Sequence, residues 1–239
     1  MIQKAKHPGL YVLPNGLTTL NLFAGFFAIL QAMAGNIEIA VFAVLIAMLM
    51  DGLDGKVARL THSESNFGEE YDSLSDMVSF GLAPAVIIYT WAFTNLGKLG
   101  WLASFIFVAG AALRLARFGS QSENCNTKYF NGLPSPAAAV LIVSFVYFFH
   151  DMPASETISF MAVAITILAG ILMVTNIQYL SFKDLQISHI LAASLIVILL
   201  FVIPLVLGNA IEFIFLLFAI YTFSGPITAS TKFLRRQKQ

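Results

Sequence analysis

DGLDGKVARLTHSESNFGEEYDSLSD, residues 51–76, carries four aspartates next to long apolar segments of the chain. Asp51 and Asp54 are three residues apart and directly follow the apolar run 39–50, while Asp72 and Asp76 are four residues apart at the start of the next run. Residues at these spacings share one face of a helix. Carboxylates inside a membrane line a polar cavity, pair with other groups or bind an ion. The stretch therefore predicts a divalent-metal site between two helices.

The composition indicates a membrane protein. Of the 239 residues, 58% are hydrophobic and 11% are charged, with a mean hydropathy of +0.82, whereas about a quarter of a soluble domain is charged. The apolar residues come in blocks of about 20, the length of a membrane-spanning helix. We expect an all-α polytopic integral membrane protein with about eight transmembrane helices. The net charge of zero favours no nucleic-acid partner, and a single cysteine, Cys125, excludes an internal disulfide and a cysteine metal cage.

The apolar blocks define the predicted spans. Residues 1–13 are expected to lie at the membrane surface, and the first block is expected to be retained because it lacks the small-residue end of a cleaved signal peptide. Proline is predicted to kink the last two spans, at Pro204 and Pro226. The eight spans are 14–34, 37–59, 68–93, 99–118, one ending near 150, 157–179, 187–207 and 211–233.

The basic residues predict the orientation. Of the 13 lysines and arginines, 12 fall on one side of the predicted spans and Lys98 alone falls on the other. Cytoplasmic loops carry the excess of basic residues. Both termini and the aspartate cluster are therefore expected on the cytoplasmic side of the cell (inner) membrane.

An oxygen-only ligand set favours magnesium or manganese. Two such ions a few ångströms apart can clamp a phosphate between an attacking and a leaving oxygen. Gly55, Ala58 and Gly68 are small and leave room for a ligand beside the aspartates, and Arg59 can neutralise a phosphate. One carboxylate can also take a proton from an attacking hydroxyl. A carboxylate-lined pore or a structural ion site would explain the aspartates but not the glycines.

The spacing D-x2-D-G-x2-A-R-x8-G-x3-D-x3-D resembles the signature of the CDP-alcohol phosphatidyltransferase family. Two further stretches, LPNGLTTLNLFAG at 13–25 and FNGLPSPAAA at 130–139, resemble its phosphatidylserine synthase branch, as do ALRLARF at 112–118 and SFKD at 181–184. The likeness covers almost the whole chain. All eight signature positions are filled, by Asp51, Asp54, Gly55, Ala58, Arg59, Gly68, Asp72 and Asp76.

The resemblance implies a reaction and a set of partners. Family members transfer a phosphatidyl group from CDP-diacylglycerol to a small alcohol and release CMP, and the branch uses the hydroxyl of L-serine. They are typically homodimers with a six-helix catalytic core open to the cytoplasm. A single domain over 1–239 would then comprise the surface segment 1–13, a core at 14–180 and two additional spans at 187–233.

The resemblance also implies roles for individual residues. Asp51, Asp54 and Asp72 would bind two Mg²⁺ or Mn²⁺ ions, and Asp76 would be both a ligand and the catalytic base. The CDP-diacylglycerol site would be formed by Thr18, Asn21, Gly55, Ala58, Arg59 and Gly68. Serine brings a carboxylate and an ammonium that need partners, and we assign it to Arg114, Arg117, Asn131 and Gly132.

Some of these residues have simpler explanations in the sequence. Arg114 and Arg117 also fit plain charge asymmetry across the membrane, and Thr18 and Asn21 also fit contacts between packed helices. The prolines of FNGLPSPAAA suit the first turn of a helix, which leaves Asn131 unexplained.

Two other functions stay open. The same chemistry with glycerol phosphate, inositol phosphate or choline is disfavoured by the FNGLPSPAAA loop, although Gly119 and Gln178 depart from the serine branch. A divalent-cation transporter would use the same aspartates, but transporters often show matched halves with discontinuous helices. No such symmetry is evident in the sequence.

Overall fold

The computed structural model describes residues 12–61, 63, 65–120, 129–152, 155–180 and 210–236. Most of the predicted surface segment 1–13 lies outside the described residues, as do the predicted seventh span 187–207 with Pro204, the SFKD stretch and Cys125.

Seven helical spans are described, and they confirm the predicted all-α polytopic architecture. Five of them are long and apolar enough to cross a membrane, α1, α3, α4, α6 and α7. The helix α2 is 24 residues long but carries two aspartates, a lysine and an arginine in its last ten residues. The bounds are α1 Val12–Met33, α2 Ile37–Leu60, α3 Asn66–Leu96, α4 Lys98–Ser120, α5 Ser135–Phe149, α6 Glu156–Val174 and α7 Ala210–Arg236.

The helices present small residues inward and large apolar residues outward. On α1, Ala28 and Ala32 are buried, whereas Phe23, Phe26 and Leu30 are exposed. Small residues at helix contacts let backbones approach closely, which is how helices pack inside a bilayer. Large apolar side chains on the outer surface are what a surrounding lipid phase requires.

The span α3 changes its helical type along its length. An α-helix, Asn66–Asp76, is followed by a widened π-helical turn at Met77–Leu82, an α-helical segment, Ala83–Ile88, a second π turn, Tyr89–Phe93, and a short 3₁₀ turn, Thr94–Leu96. π turns occur frequently at functional sites. The first one begins directly after Asp76, and nothing in the hydrophobic pattern predicts it.

The helix α5 occupies the centre of the described bundle. Its residues from Ser135 to Val146 are buried except Pro136, and it packs against α2, α3, α6 and α7. At 15 residues it is also the shortest of the described helical spans.

The sixth predicted span was too long at its carboxyl end. The helix α6 ends at Val174, not Tyr179, and residues Gln178–Leu180 form a strand, β2. This strand pairs in antiparallel register with β1, Tyr129–Asn131. The helix stops because Thr175 turns to an extended conformation, and Arg117 Nη1 donates to the Val174 carbonyl at 3.1 Å.

Candidate active site

The site is built on a close contact between α1 and α3. Ser75 Oγ donates to the Thr18 carbonyl at 3.1 Å, and Ser79 Oγ donates to the Asn21 carbonyl at 2.9 Å. A Cβ atom on Gly25 would lie 2.6 Å from Ser79 Cα, so only glycine permits this approach. The two serines therefore fix the carboxylates of α3 relative to α1.

Three of the predicted aspartates come together. Asp51 from α2 and Asp72 and Asp76 from α3 each offer a carboxylate oxygen, and these oxygens lie within 4.8 Å of one another. Asp72 Oδ1 is buried and has no hydrogen-bond donor among the described residues. Three converging carboxylates repel one another unless a cation lies between them. The oxygen ligands and the open lone pairs of Asp72 fit a hard divalent cation.

The fourth aspartate points toward α1. The Asp54 side chain is buried, at 4% exposure, and Asp54 Oδ2 lies 2.8 Å from the Thr18 hydroxyl, which can donate to it. Asp54 is outside the close group of three but near enough to interact electrostatically with Asp72. Its predicted role as a metal ligand stays a prediction.

Polar residues of α1 hold the carboxylates. Asn21 Nδ2 donates to Asp76 Oδ1 at 3.2 Å, as the Thr18 hydroxyl does to Asp54. These hydrogen bonds fix the orientation of two aspartates, in the way that residues surrounding a metal site orient the metal ligands. Direct binding of CDP-diacylglycerol by Thr18 and Asn21 stays a prediction.

The glycines predicted to line the nucleotide site differ in their surroundings. No atom of the described residues lies within 4 Å of a Cβ atom built on Gly55, so the helix surface beside Asp54 is open in the described part of the chain. Arg59 is exposed and its Nε donates to the Gly55 carbonyl at 2.9 Å, while Ala58 is half-buried. Gly68 has a local reason to be small, because a Cβ atom there would lie 3.2 Å from Ser65 Oγ, which accepts the Gly68 N–H in the cap of α3.

The two arginines of α4 take different directions. Arg114 Nη1 donates to Ser135 Oγ at 2.9 Å, and the guanidinium interacts electrostatically with Asp76 and Asp51. Arg117 Nη1 donates to the carbonyl of Val174 and to Asn176 Oδ1, the latter at 3.0 Å. Arg114 therefore belongs to the carboxylate cluster. Arg117 binds the carboxyl end of α6, where the helix dipole also stabilises a positive charge.

The paired strands bring the remaining candidates to the end of α6. Asn131 pairs with Gln178 and is exposed. Gly132 has a φ of +84° and donates its N–H to the Ile177 carbonyl at 2.8 Å, and a Cβ there would overlap the Met173 carbonyl. This strained, crowded position explains Gly132 without a ligand.

Sequence reasoning missed several residues that shape the site. Ser75 and Ser79 lie four apart on α3, a spacing that indicates one shared face and that could have identified them as contacts to α1. Ser135 lies within FNGLPSPAAA, but no pattern there indicates its contact with Arg114, and none signals Tyr179 or Tyr221. They come from parts of the chain that meet only in the folded bundle.

Comparison with known proteins gives a consistent result. The sequence model of the family described as CDP-alcohol phosphatidyltransferase matches residues 11–174. The chain is 35% identical over 221 residues, 91% of each chain, to a CDP-diacylglycerol–serine O-phosphatidyltransferase of Helicobacter pylori. A protein of the same name from Methanocaldococcus jannaschii is 37% identical over 179 residues, 75% of this chain and 79% of the relative. An archaetidylserine synthase of Methanothermobacter thermautotrophicus is 36% identical over 183 residues, 75% of this chain and 74% of the relative.

The family match begins at the start of α1, includes the whole carboxylate cluster and ends at the last residue of α6. Family members are phosphotransferases that use divalent metal ions, which agrees with the oxygen ligands gathered here. The predicted resemblance is confirmed: the chain belongs to the CDP-alcohol phosphatidyltransferase family.

Proposed function

We propose that this enzyme transfers the phosphatidyl group of CDP-diacylglycerol to the hydroxyl of L-serine, giving phosphatidylserine and CMP. The observation that carries the proposal is the convergence of Asp51, Asp72 and Asp76 next to Arg114. An acidic metal-binding group adjoining a cation suits a reaction that transfers a phosphatidyl group from a diphosphate to an acceptor bearing a carboxylate. The names of the relatives support serine as that acceptor.

The metal set we propose is Asp51, Asp54, Asp72 and Asp76, holding two Mg²⁺ or Mn²⁺ ions. The open helix surface at Gly55 supports it, as does Asp72 Oδ1, for which the described part of the chain offers no hydrogen-bond donor. When bound, such ions stabilise negative charge on the transferred phosphate and on the departing CMP.

We assign the chemical step to Asp76. Its carboxylate takes the proton of the serine hydroxyl, the oxygen bonds to the phosphorus that carries diacylglycerol, and the bond from that phosphorus to CMP breaks. Asn21 holds Asp76 for this purpose through the 3.2 Å hydrogen bond. The cytidine and diphosphate lie along Gly55, Ala58, Arg59 and Gly68, with Thr18 and Asn21 supporting the site from α1.

Arg114 is the proposed partner of the serine carboxylate, because its guanidinium, on α4, interacts electrostatically with Asp76 and Asp51 of the carboxylate cluster. Asn131, Gly132 and Arg117 complete the acceptor end, and the β1–β2 pair and the end of α6 support that placement.

We further propose a single-domain homodimer in the cell membrane with the site and both termini facing the cytoplasm. The support for this orientation is the 12-to-1 distribution of basic residues.

The test is CMP release by purified protein with CDP-diacylglycerol and Mn²⁺, with and without L-serine. Release is expected to require both serine and metal. Asp76→Asn is expected to lower the rate by about 10²–10⁴-fold, the range for loss of a general base. Glu70→Gln is the matched control, since Glu70 is exposed on the same helix and outside the carboxylate group.

Other results would change the assignment. Dependence on a different alcohol would overturn serine as the acceptor while keeping the reaction. An active Asp76→Asn enzyme would remove the base from Asp76. No CMP with any alcohol, from folded protein with metal, would favour a divalent-cation transporter.

A further inference from the structure

The last helix, α7, contains a backbone carbonyl that its own helix cannot satisfy. Pro226 lies inside α7 and has no backbone N–H, so the Thr222 carbonyl, four residues earlier, lacks its helical donor. Tyr179, on β2, supplies the missing donor. Its hydroxyl donates to the Thr222 carbonyl at 3.1 Å.

The surroundings of Tyr179 are shaped for this contact. The side chain is 1% exposed, and burial raises the pKa of Tyr179 to about 12, so the hydroxyl keeps its proton at neutral pH. A Cβ atom on Gly225 would lie 2.6 Å from Tyr179 Cε1, so α7 presents a glycine where the ring lies against it. The adjacent Tyr221 ring packs on Tyr179 with centroids 5.5 Å apart.

The contact connects α7 to the acceptor end of the site. Tyr221 interacts electrostatically with Arg114, which in turn interacts electrostatically with Asp76. Tyr179 is next to Gln178, which pairs with Asn131. The site's acceptor end and α7 therefore meet at Tyr179, although α7 lies beyond the residues that match the family.

We propose that Tyr179 is a positioning residue for the acceptor: by binding the carbonyl that Pro226 leaves without a helical donor, it holds Tyr221 beside Arg114. The helix α7 thereby forms one wall of the acceptor site. For the identity of the acceptor, the inference rests on the proposed function. For the contact between β2 and α7, it rests only on the hydrogen bond and the ring contacts of Tyr179.

A second contact of α7 allows the effect of Tyr179 on the acceptor site to be distinguished from an effect on the folding of the bundle. Further toward its amino end, α7 packs on α5 through Phe215, whose ring lies 5.8 Å from Phe145 and 5.9 Å from Phe148. This apolar contact does not involve Tyr179. Loss of the Tyr179 hydroxyl is therefore expected to leave α7 in the bundle and to loosen only its region near Arg114.

The experiment compares wild type with Tyr179→Phe, which removes only the hydroxyl. The KM for L-serine is expected to rise roughly tenfold, as for loss of one buried hydrogen bond, with the KM for CDP-diacylglycerol within about twofold of wild type. Tyr147→Phe is the matched control. Tyr147 packs against His150 at the carboxyl end of α5, whereas Arg114 binds Ser135 at the amino end. Tyr147→Phe is expected to change neither constant.

Pro226→Ala provides the rescue. Alanine restores the N–H that binds the Thr222 carbonyl within α7, so Tyr179→Phe is expected to change the serine KM by less than about threefold in that background. Hydrogen–deuterium exchange of residues 218–226 gives a readout independent of activity. It is expected to be faster in Tyr179→Phe than in wild type, and the difference is expected to disappear in the Pro226→Ala background.

Several results would overturn the inference: an unchanged serine KM in Tyr179→Phe, an equal rise in both KM values, or the same effect with and without Pro226. Unchanged hydrogen–deuterium exchange in 218–226 would refute the contact between Tyr179 and α7 itself.

If wild type uses another alcohol, the proposed acceptor fails, and the KM for that alcohol replaces the serine KM in the same comparison. If wild type releases no CMP with any alcohol, the proposed function fails and the acceptor inference fails with it, while exchange still decides the contact.

Discussion

Individual side chains on α1 determine where the carboxylates point. The aspartate spacing predicted two pairs on two helix faces, and Asp51, Asp72 and Asp76 do converge. Spacing alone could not show that Asp54 turns to Thr18, because three residues on a helix define a face but not the partner opposite it. That partner comes from another helix, 36 positions away in the chain.

Thr18→Val is expected to raise the Mn²⁺ concentration needed for half-maximal activity by about 10–100-fold, since it removes the hydroxyl that holds Asp54. Thr18→Ser, which keeps the hydroxyl, is expected to stay close to wild type. The measurement is CMP release across a Mn²⁺ titration. Thr19→Val serves as the neighbouring control, because the Thr19 hydroxyl is exposed and lies 2.9 Å from the Tyr71 hydroxyl instead. Equal metal requirements in Thr18→Val and wild type would show that Thr18 does not orient a metal ligand.

At the scale of helices, the close crossing of α1 and α3 determines the site's dimensions. Hydropathy predicted both spans, with ends within three residues of those observed. It could not predict the π turn after Asp76 or the end of α6 at Val174, because both depend on contacts with other elements. Arg117, for example, comes from α4 to bind the Val174 carbonyl.

Gly25→Ala is expected to lower both the melting temperature and the rate of CMP release. The added methyl would lie 2.6 Å from Ser79 Cα and force α3 away from α1, and overpacking of this kind costs typically about 1–3 kcal/mol. Thermal unfolding in detergent and the rate with saturating metal measure the two effects.

Gly16→Ala on the same helix is the control, because its added Cβ has no atom of the described ranges within 4 Å. Alanine favours a helix over glycine by up to about 1 kcal/mol, so this variant is expected to be as stable as wild type or slightly more so. A Gly25→Ala protein with the same stability as Gly16→Ala would show that the crossing tolerates a wider separation.

At the scale of the whole molecule, a polar contact joins the end of α5 to the start of α2, at the end of these helices opposite the carboxylate cluster. His150, just after α5, has Nε2 3.0 Å from Glu38 Oε1 at the start of α2 and Nδ1 2.7 Å from the Tyr147 carbonyl. Burial lowers the pKa of His150, but these two contacts and the charge of Asp151 raise it on balance above its usual value. The sequence predicted only that the fifth span ends near residue 150.

This pKa gives a pH dependence of stability. Because the folded protein favours the protonated imidazole, the stabilisation is fully present below the unfolded value of about 6.5 and is lost as pH rises through the higher folded pKa. Wild type is therefore expected to lose about 1–2 °C more in melting temperature than His150→Gln between about pH 6 and pH 8.5, a small effect because Glu38 is exposed. Glu38→Gln should reduce the difference. A larger loss in His150→Gln would reverse the sign and refute the interpretation.

The shortness of α5 determines the depth of the site. Measured from the contact between His150 and Glu38, its 15 residues reach about 22 Å into the bundle, while the 24 residues of α2 reach about 36 Å. The amino end of α5 at Ser135 thus lies level with about the fifteenth residue of α2, which is Asp51. Among the described residues, the groups near that level include the close-set carboxylates of Asp51, Asp72 and Asp76 and the guanidinium of Arg114, which donates to Ser135. In the described part of the bundle, α5 is thus a mostly apolar barrier on the His150 side of Ser135, and ionic groups lie at its other end.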